Sequence, residues 1–382
     1  MDTNHIQNSP SPLRPDIEPL FTPLRLGALT LPNRLAVAPM TRVSATAQGI
    51  PTPRMGDYYS GFAEGGFGLV ITEGIYTDEA FSQGYLFQPG LANDPQRDAW
   101  KTIVAGVQAQ GGRVIAQLMH AGALSQGKPW RAGTIGPSAL RPKGQQMRFY
   151  RGSGDYAVPQ AMTQQDITHA VSGFANAARR AREAGFDGVE IHGANGYLLD
   201  QFLSKGINLR EDGYGGDVQG RLRLIAEVVH AVRAAVGADF VLGLRVSQSK
   251  VNDFQHKWLA KEAPEIFQRL AVLPLDYLHT TEFQAWMPAF GQGASLAALA
   301  KQHVAMPVLA NGSLHDPGQA RLLLERGEAD FVSLGRGALT HADWPRRARA
   351  GAMMQEFDPA ILSPIADLAN ADSLRGEPAT PL

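Results

Sequence analysis

Cysteine is absent from the 382-residue sequence. This absence excludes disulfides, thiolate nucleophiles, cysteine-ligated zinc and iron–sulfur clusters. We predict no metal centre. A chain without cysteine is compatible with the cytoplasm, which is where we expect the protein to act.

An excess of charge of one sign is also absent, because 35 lysines and arginines are interspersed with 36 aspartates and glutamates, for a net charge of −1. The chain therefore has no basic face for nucleic acid and no polybasic patch for anionic lipid. No apolar run approaches the ~18 residues that span a bilayer. We expect a small-molecule partner, local contacts to any phosphate, and either a single chain or an oligomer.

The two ends of the chain lack the apolar periodicity of the remainder. Residues 1–20 are polar and rich in proline, without the apolar core of a signal peptide, and we expect them to form a flexible arm. Residues 21–355 are expected to form one domain that opens with a hairpin around Gly27 and Pro32, and residues 356–382 a C-terminal tail.

Strand-like and helix-like segments alternate along this domain with no break in composition. Such alternation over eight strands is typical of a single closed (β/α)8 TIM barrel of the α/β class. An open doubly wound sheet is disfavoured, because no G-x-G-x-x-G opens a first βα unit. The irregular segment 123–160 after the third strand predicts a lid-like loop, with Arg148, Phe149 and Tyr150 as candidate lid contacts. The predicted strands are 35–40, 69–73, 114–119, 187–191, 240–246, 276–280, 307–311 and 330–334.

The fourth predicted strand ends in a cluster of polar and aromatic residues. His192, Asn195 and Tyr197 lie within HGANGY, at the carboxyl end that forms the functional face of a barrel. Two neutral donors and a phenol can bind one carbonyl oxygen and deliver a proton beside it. The alternative interpretation of His192 is a hydrogen-bonded histidine of the core.

Other predicted strand ends carry groups suited to the same ligand. Arg245 lies in an apolar run, where a charge is costly unless it is paired, so we expect an anion or an electron-rich ring edge as its partner. Gln117 is either a ligand contact or a buried amide satisfied by the backbone. Thr41 is either a ligand contact or a cap of the following turn. Glu73 ends the second strand and is expected at the same face.

The loops after the last two predicted strands are rich in glycine. Gly312 and Ser313 follow one strand, and Gly335 and Arg336 follow the other. TIM barrels frequently bind phosphate at these two loops. Each loop alone could be a turn, but the two are adjacent in a barrel and one carries an arginine, which favours a phosphate site. A ligand with a phosphate tail and a planar, hydrogen-bonding head, such as FMN, matches the whole face.

Five segments carry a family resemblance: PLRLGALTLPNRLAVAPMTR, RVIAQLMHAG, EAGFDGVEIHGANGYLLDQFLSKGINLREDGYGG, PVLANGS and ADFVSLGRGAL. They resemble the Old Yellow Enzyme family of FMN-dependent ene-reductases. The resemblance covers roughly residues 20–350, and the HGANGYLLDQFL block is highly specific.

The resemblance implies a bound FMN and assigns residues to it. Thr41 would face a flavin carbonyl, Gln117 the pyrimidine edge, and Arg245 would stabilise negative charge on the reduced ring. Pro39 and Met40 would contribute backbone contacts under the ring. The phosphate-binding residues that it implies are Gly312, Ser313, Gly335 and Arg336.

The implied reaction has two half-reactions. NAD(P)H reduces FMN, and an α,β-unsaturated carbonyl or nitro compound then takes hydride from flavin N5 at its β-carbon. His192 and Asn195 would polarise the carbonyl, and Tyr197 would protonate the α-carbon. Two alternatives rest on the residues alone: a flavin-free barrel lyase or isomerase acting on a phosphorylated substrate, and a non-catalytic ligand-binding barrel.

The chain departs from the family pattern near the substrate-facing surface. Arg245 is followed by VSQSKVNDF, where many members have Ser-Pro. Met119 replaces a frequent aromatic residue and Ala123 a frequent arginine. These departures predict a change in substrate specificity rather than in reaction type.

Overall fold

Strands and helices alternate along the residues that the computed structural model describes, which are 15–127, 133–253 and 258–376. The strands are β1 (Leu24–Leu26), β2 (Leu29–Leu31), β3 (Leu35–Val37), β4 (Leu69–Ile71), β5 (Ile75–Tyr76), β6 (Arg113–Met119), β7 (Ile135–Gly136), β8 (Gln160–Ala161), β9 (Gly188–Asn195), β10 (Val241–Lys250), β11 (Tyr277–Thr281), β12 (Val308–Asn311) and β13 (Phe331–Leu334). The helices are α1 (Pro53–Glu64), α2 (Asp94–Ala109), α3 (Gln164–Glu183), α4 (Leu198–Leu203), α5 (Val218–Val236), α6 (Ala263–Ala271), α7 (Leu296–His303), α8 (Pro317–Glu325), α9 (Arg336–Thr340), α10 (Trp344–Ala350) and α11 (Leu368–Leu374).

Parallel pairing closes the barrel within the described ranges. The order around the ring is β3, β4, β6, β9, β10, β11, β12 and β13, and β13 returns to β3. β5 extends the sheet beside β6. The predicted (β/α)8 barrel is therefore confirmed, and the predicted hairpin is formed by antiparallel pairing of β1 with β2.

Side chains alternate between the barrel interior and the surrounding helices, as they must along a strand. The hairpin closes an apolar floor at the amino ends of the strands. Above this floor, Gln117, Glu190 and His279 form a hydrogen-bonded polar layer. His192 follows Glu190 by one alternation along β9 and is paired with Arg245 on β10. The floor residues are Leu26, Leu31, Ala36, Leu69, Ile71, Ile115, Val241, Tyr277, Leu309 and Phe331.

Some barrel strands are longer or shorter than the apolar segments that predict them. β9 and β10 extend past the ends expected at Ile191 and Val246, and their pairing continues to Asn195 and Lys250. Apolar periodicity indicates which side chains are buried, not which backbone groups are paired. A strand predicted from it therefore ends where the side chains become polar, even when the pairing continues. β3 is shorter than expected and ends before Pro39, which has no N–H to donate.

The lid-like segment packs against the chain that follows residue 355, where a tail was expected. A one-turn 3₁₀ helix, Arg148–Tyr150, lies in the lid. The Arg151 guanidinium pairs with the Asp367 carboxylate at 2.6 Å, and the Ala366 amide donates to the Phe149 carbonyl at 2.9 Å. The C-terminal segment thus holds the lid at the mouth of the barrel.

The expected N-terminal arm includes a structured part. Residues Pro15–Phe21 form a 3₁₀ helix that buries Ile17 and Leu20. Four parts of these predictions lie outside the described ranges: the rest of the expected arm, lid residues 128–132, residue 254 at the end of the segment VSQSKVNDF, and tail residues 377–382. No helix in those ranges is both long enough and apolar enough to cross a membrane.

Gly243 on β10 is expected to tolerate no side chain. An added Cβ would lie 2.1 Å from Cζ of Tyr277, whose ring fills the barrel beside it. Gly243→Ala should lower the free energy of unfolding by about 1–3 kcal/mol, the usual cost of overpacking a core, as measured by chemical denaturation. In the control Gly61→Ala on α1, no described atom lies within 4 Å of the new Cβ, and a gain of roughly 0.5–1 kcal/mol is expected. Equal stability of the two variants would contradict this account.

Candidate active site

His192 lies at the mouth of the barrel, directly paired with Arg245 on the neighbouring strand β10. The side chain is 4% exposed, and its Nδ1 accepts a hydrogen bond from the Ala194 amide at 3.3 Å, which leaves Nε2 to carry the proton. Burial lowers the pKa of His192 well below its ordinary value, and the positive charge of Arg245 lowers it further. The imidazole is therefore a neutral hydrogen-bond donor at physiological pH.

Tyr197 follows the turn after β9 and takes the N-cap position of α4. Its ring lies edge to face with that of His192, with the ring centroids 4.9 Å apart. Its hydroxyl forms a short hydrogen bond with the hydroxyl of Tyr85. Burial raises the pKa of Tyr197, so the phenol keeps its proton. The structure thus brings together the predicted donor and the predicted acid.

Tyr85 could not be identified from the sequence, because it belongs to no motif. It lies in a loop after β5, far along the chain from Tyr197. Tyr150 was a candidate lid contact, and its ring lies 4.6 Å from that of Tyr85. Its hydroxyl is hydrogen-bonded to Thr41, and burial raises the pKa of Tyr150 to about 12. The lid therefore reaches the loop after β3 through a half-buried tyrosine.

Asn195 and Gly196 form the turn between β9 and α4. Asn195 has a left-handed backbone with φ of +62°, a conformation that asparagine adopts more readily than most residues. The Gly196 amide donates to Oδ2 of Asp200 at 2.6 Å, and Oδ1 of the same carboxylate pairs with Nζ of Lys250 at 2.8 Å. Both charged side chains are fully buried. This ion pair fixes the turn that carries Asn195 and Tyr197.

Arg245 is a buried cation whose hydrogen bonds are incomplete within the described residues. Its Nη2 donates to Oγ1 of Thr281 at 3.1 Å and to Oδ1 of Asn311 at 3.0 Å. Its Nε is buried and has no partner among the described residues. A buried donor without an acceptor is costly, so the guanidinium fits a ligand that supplies one.

The sequence allowed a Gln117 amide that the backbone satisfies. In the structure, this amide is hydrogen-bonded to a side chain instead. Its Nε2 donates to Oε1 of Glu190 at 2.8 Å. Because this bond fixes the nitrogen of the amide, Oε1 is the atom that can accept a hydrogen bond from a ligand.

Glu73 supports the loop after β3. Its carboxylate accepts hydrogen bonds from the amides of Arg42 at 2.9 Å and Val43 at 3.2 Å, and from the hydroxyl of Tyr59 at 3.1 Å. Burial raises the pKa of Glu73 to about 7, although these hydrogen bonds oppose the rise. Val43 has φ of +37°, a strained conformation for a β-branched residue. Glu73 therefore holds the loop that carries Thr41, and its predicted contact with the ligand stays a prediction.

Pro39, Met40 and Thr41 follow β3 and are half-buried at the mouth. A Cβ placed on Gly335 would lie 3.6 Å from Sδ of Met40, so the loop after β3 lies beside the loop after β13. The loops that the resemblance assigns to the flavin ring and to its phosphate are thus neighbours.

The two glycine-rich loops contact each other through side chains. Nη2 of Arg336 donates to Oγ of Ser313 at 2.7 Å, and the same hydroxyl donates to the carbonyl of Phe283 at 2.7 Å. Gly312 has φ of +142°, and a Cβ there would lie 2.3 Å from the Glu282 carbonyl oxygen. The loop after β12 thus requires glycine, and it approaches the arginine of the loop after β13.

Comparison with known proteins places this geometry in a family. Residues 19–355 match the NADH:flavin oxidoreductase / NADH oxidase family. The chain is 36% identical to chanoclavine-I aldehyde reductase fgaOx3 of Penicillium roqueforti, covering 89% of this chain and 92% of the relative. The structure of morphinone reductase superposes with a TM-score of 0.81 at 34% identity, covering 90% and 92%. An old yellow enzyme homologue from Zymomonas mobilis superposes with a TM-score of 0.78 at 30% identity, covering 88% and 94%.

The chain belongs to the Old Yellow Enzyme family. It is an FMN-dependent oxidoreductase of the alkene-reductase type, and the flavin-free lyase or isomerase finds no support. The residues present fit FMN. Nε of Arg245 offers an unpaired buried donor, Oε1 of Gln117 an acceptor, and Gly312 with Arg336 a phosphate cradle. When bound, FMN supplies hydride transfer between a nicotinamide cofactor and the substrate.

Several departures from the family pattern gather at one pocket. Its cavity volume is about 70 Å³, and its lining includes Ala123, Gly196, Asn252 and Asp253. Met119 is buried in the cluster that contains Tyr197. These sequence differences thus lie beside the turn that carries Asn195 and Tyr197.

The buried ion pair beneath the turn that carries Asn195 and Tyr197 yields a stability prediction. Lys250→Met would leave the Asp200 carboxylate buried without its cation, so we expect a loss of about 3–5 kcal/mol in the free energy of unfolding, measured by chemical denaturation. The double change Lys250→Met with Asp200→Asn should recover part of that loss.

The matched control is Lys101→Met, because Lys101 and its partner Asp98 have side chains 51% and 53% exposed. It should change stability by no more than about 0.5 kcal/mol. A loss for Lys250→Met as small as that of the control would show that the buried pair does not stabilise the turn.

Proposed function

We propose that this enzyme reduces the C=C bond of α,β-unsaturated carbonyl and nitro compounds. The observation that carries the proposal is a neutral, buried His192 in ring contact with Tyr197 at the barrel mouth. His192 and Asn195 donate hydrogen bonds to the substrate oxygen, and Tyr197 delivers a proton to the α-carbon. Dependence on a reduced nicotinamide cofactor is consistent with the cytoplasm as the site of action.

A neutral imidazole suits an oxygen that becomes negative only as the reaction proceeds. Nε2 of His192 presents a fixed N–H, and a donor that is already in place needs no reorganisation when charge develops. A protonated imidazole beside Arg245 would put two buried positive charges on adjacent strands, which burial opposes. The neutral form therefore supplies the hydrogen bond at all pH values where the enzyme is expected to work.

Tyr197 is suited to act as an acid because its hydroxyl is hydrogen-bonded to that of a second tyrosine. Tyr85 shares a short hydrogen bond with it, so Tyr85 can donate to the Tyr197 oxygen as the proton leaves. The raised pKa keeps Tyr197 protonated until a basic carbon is presented to it. General-acid catalysis requires such a positioned proton within reach of the substrate.

Aromatic and apolar side chains surround the tyrosine pair. Met119, Leu124 and Tyr156 are buried in one cluster with Tyr85 and Tyr197. Such walls exclude water and favour a planar, largely apolar substrate with one hydrogen-bonding group. Enones and nitroalkenes have this composition.

Single-turnover reoxidation tests the proposed activity. The holoenzyme would be reduced anaerobically and mixed with a panel of enones, nitroalkenes and nitrate esters, with a saturated ketone as the control. We expect rapid reoxidation by the enones together with formation of the saturated product. Reoxidation by oxygen, but by no enone or nitroalkene, would overturn the proposal.

Replacing Tyr197 by Phe removes the proposed acid while keeping the ring. We expect substrate reduction to slow by about 10² or more, the size of a general-acid contribution, while reduction of the flavin by NAD(P)H is unchanged. Stopped-flow measurement of the two half-reactions distinguishes them. Equal slowing of both half-reactions would contradict the assignment of Tyr197.

The pH dependence of substrate reduction tests the charge state of His192. Because burial and Arg245 lower the pKa of His192, its neutral form persists as the pH falls, and the raised pKa of Tyr197 keeps the acid protonated as the pH rises. The rate should therefore be flat between about pH 5.5 and 8, measured with pre-reduced enzyme. A loss of rate as the pH falls through the ordinary histidine range, abolished in His192→Asn, would contradict a neutral donor.

A further inference from the structure

A buried carboxylate lies in the polar layer of the barrel and has no role in the proposed reaction. Glu190 on β9 is fully buried. Its Oε1 accepts from Nε2 of Gln117 at 2.8 Å, and its Oε2 accepts from the hydroxyl of Tyr277 at 2.8 Å and faces Nδ1 of His279 at 2.8 Å. Groups from β6 and β11 thus converge on one side chain.

The position of Glu190 places it directly below the expected flavin contacts. Along β9 it precedes His192 by one alternation, so the two side chains point into the same interior. On the two neighbouring strands it is paired with Gln117 and Gly243, and Gly243 precedes Arg245 by one alternation. The carboxylate therefore lies next to both side chains assigned to the electron-rich ring.

Glu190 carries a negative charge in this layer. Burial raises the pKa of Glu190, but the hydrogen bonds from His279 and Gln117 and the positive charge of Arg245 outweigh burial, so the pKa lies below its ordinary value. Burial lowers the pKa of His279, whose Nε2 lies 3.0 Å from the hydroxyl of Ser333, so this imidazole is neutral. Among these residues, Glu190 and Arg245 are the two that carry charge.

We propose that Glu190 is a positioning residue that lowers the reduction potential of FMN at this site. It holds the Gln117 amide with Oε1 toward the ring, and its negative charge offsets the positive charge that Arg245 presents to the reduced ring. A lower potential makes the bound flavin a stronger hydride donor to the substrate. The inference rests on the proposed orientation of FMN and goes beyond the proposed substrate chemistry.

Glu190→Gln separates the charge from the hydrogen bonds. Gln117 Nε2 can only donate, so the new side chain must present its oxygen there. Its amide nitrogen then faces Tyr277 and His279, and both of these can accept a hydrogen bond. The variant therefore keeps the orientation of Gln117 and removes one negative charge.

Anaerobic redox titration of the holoenzyme, without substrate, tests the proposal. In Glu190→Gln we expect reduced FMN to be bound about tenfold more tightly relative to oxidised FMN, equivalent to a rise of ~30 mV for a two-electron couple. Tyr277→Phe, which removes one hydrogen bond and no charge, is the control and should change the ratio less than about twofold. A merely structural role predicts the opposite sign, because displacement of Arg245 would weaken binding of the reduced form. An unchanged or lowered potential in Glu190→Gln would overturn the proposal.

Glu190→Asp provides a second test in case the first variant yields no soluble holoenzyme. This variant keeps the negative charge, but its shorter side chain cannot hold Gln117 in the same way, so oxidised FMN should bind more weakly. The ratio of the affinities for reduced and oxidised FMN should stay within about twofold of that of the unmodified enzyme. A tenfold change in this ratio would overturn the proposal. Because no substrate is used, failure of either test is distinct from failure of enone reduction.

Discussion

The buried guanidinium of Arg245 constrains the rest of the site. A charge that water cannot reach must be compensated by its neighbours, and the barrel supplies Thr281 and Asn311 as acceptors and Glu190 as a counter-charge. Burial keeps the adjacent His192 neutral, and the charge of Arg245 lowers the pKa of His192 further. The cation thus helps to keep the imidazole of His192 a neutral donor, and it explains why a carboxylate lies in the polar layer.

This compensation depends on the closed barrel. Parallel register places Arg245 level with His192 on one side and with His279 on the other. The apolar floor and the hairpin keep water out from below, while the lid covers the mouth and is held by the C-terminal segment through Arg151 and Asp367. Rigid strands therefore place the charged groups, and loops determine what reaches them.

The sequence predicts the barrel and part of the site because both are encoded locally. Alternating apolar segments indicate the strands, and strand ends indicate the mouth, so His192, Tyr197 and Arg245 could be placed before their distances were known. Tyr85 could not, because its contact with Tyr197 joins segments more than a hundred residues apart. Glu190 had a usable signal, since a charge inside the apolar run GVEIH needs a partner just as that of Arg245 does.

Glu73 shows that the position of a side chain at a strand end does not by itself determine what the side chain contacts. Its carboxylate points to the amides of the loop after β3, so a strand-end acid can position a functional loop without touching a ligand. The Lys250–Asp200 pair does the same for the turn that carries Asn195 and Tyr197. Lys250 lies in the segment VSQSKVNDF, so part of this segment supports the turn through the buried carboxylate of Asp200. Asn252 and Asp253 of the same segment line the adjacent pocket and contact Lys143 across it, so this segment forms both the support of the turn and a wall of the pocket.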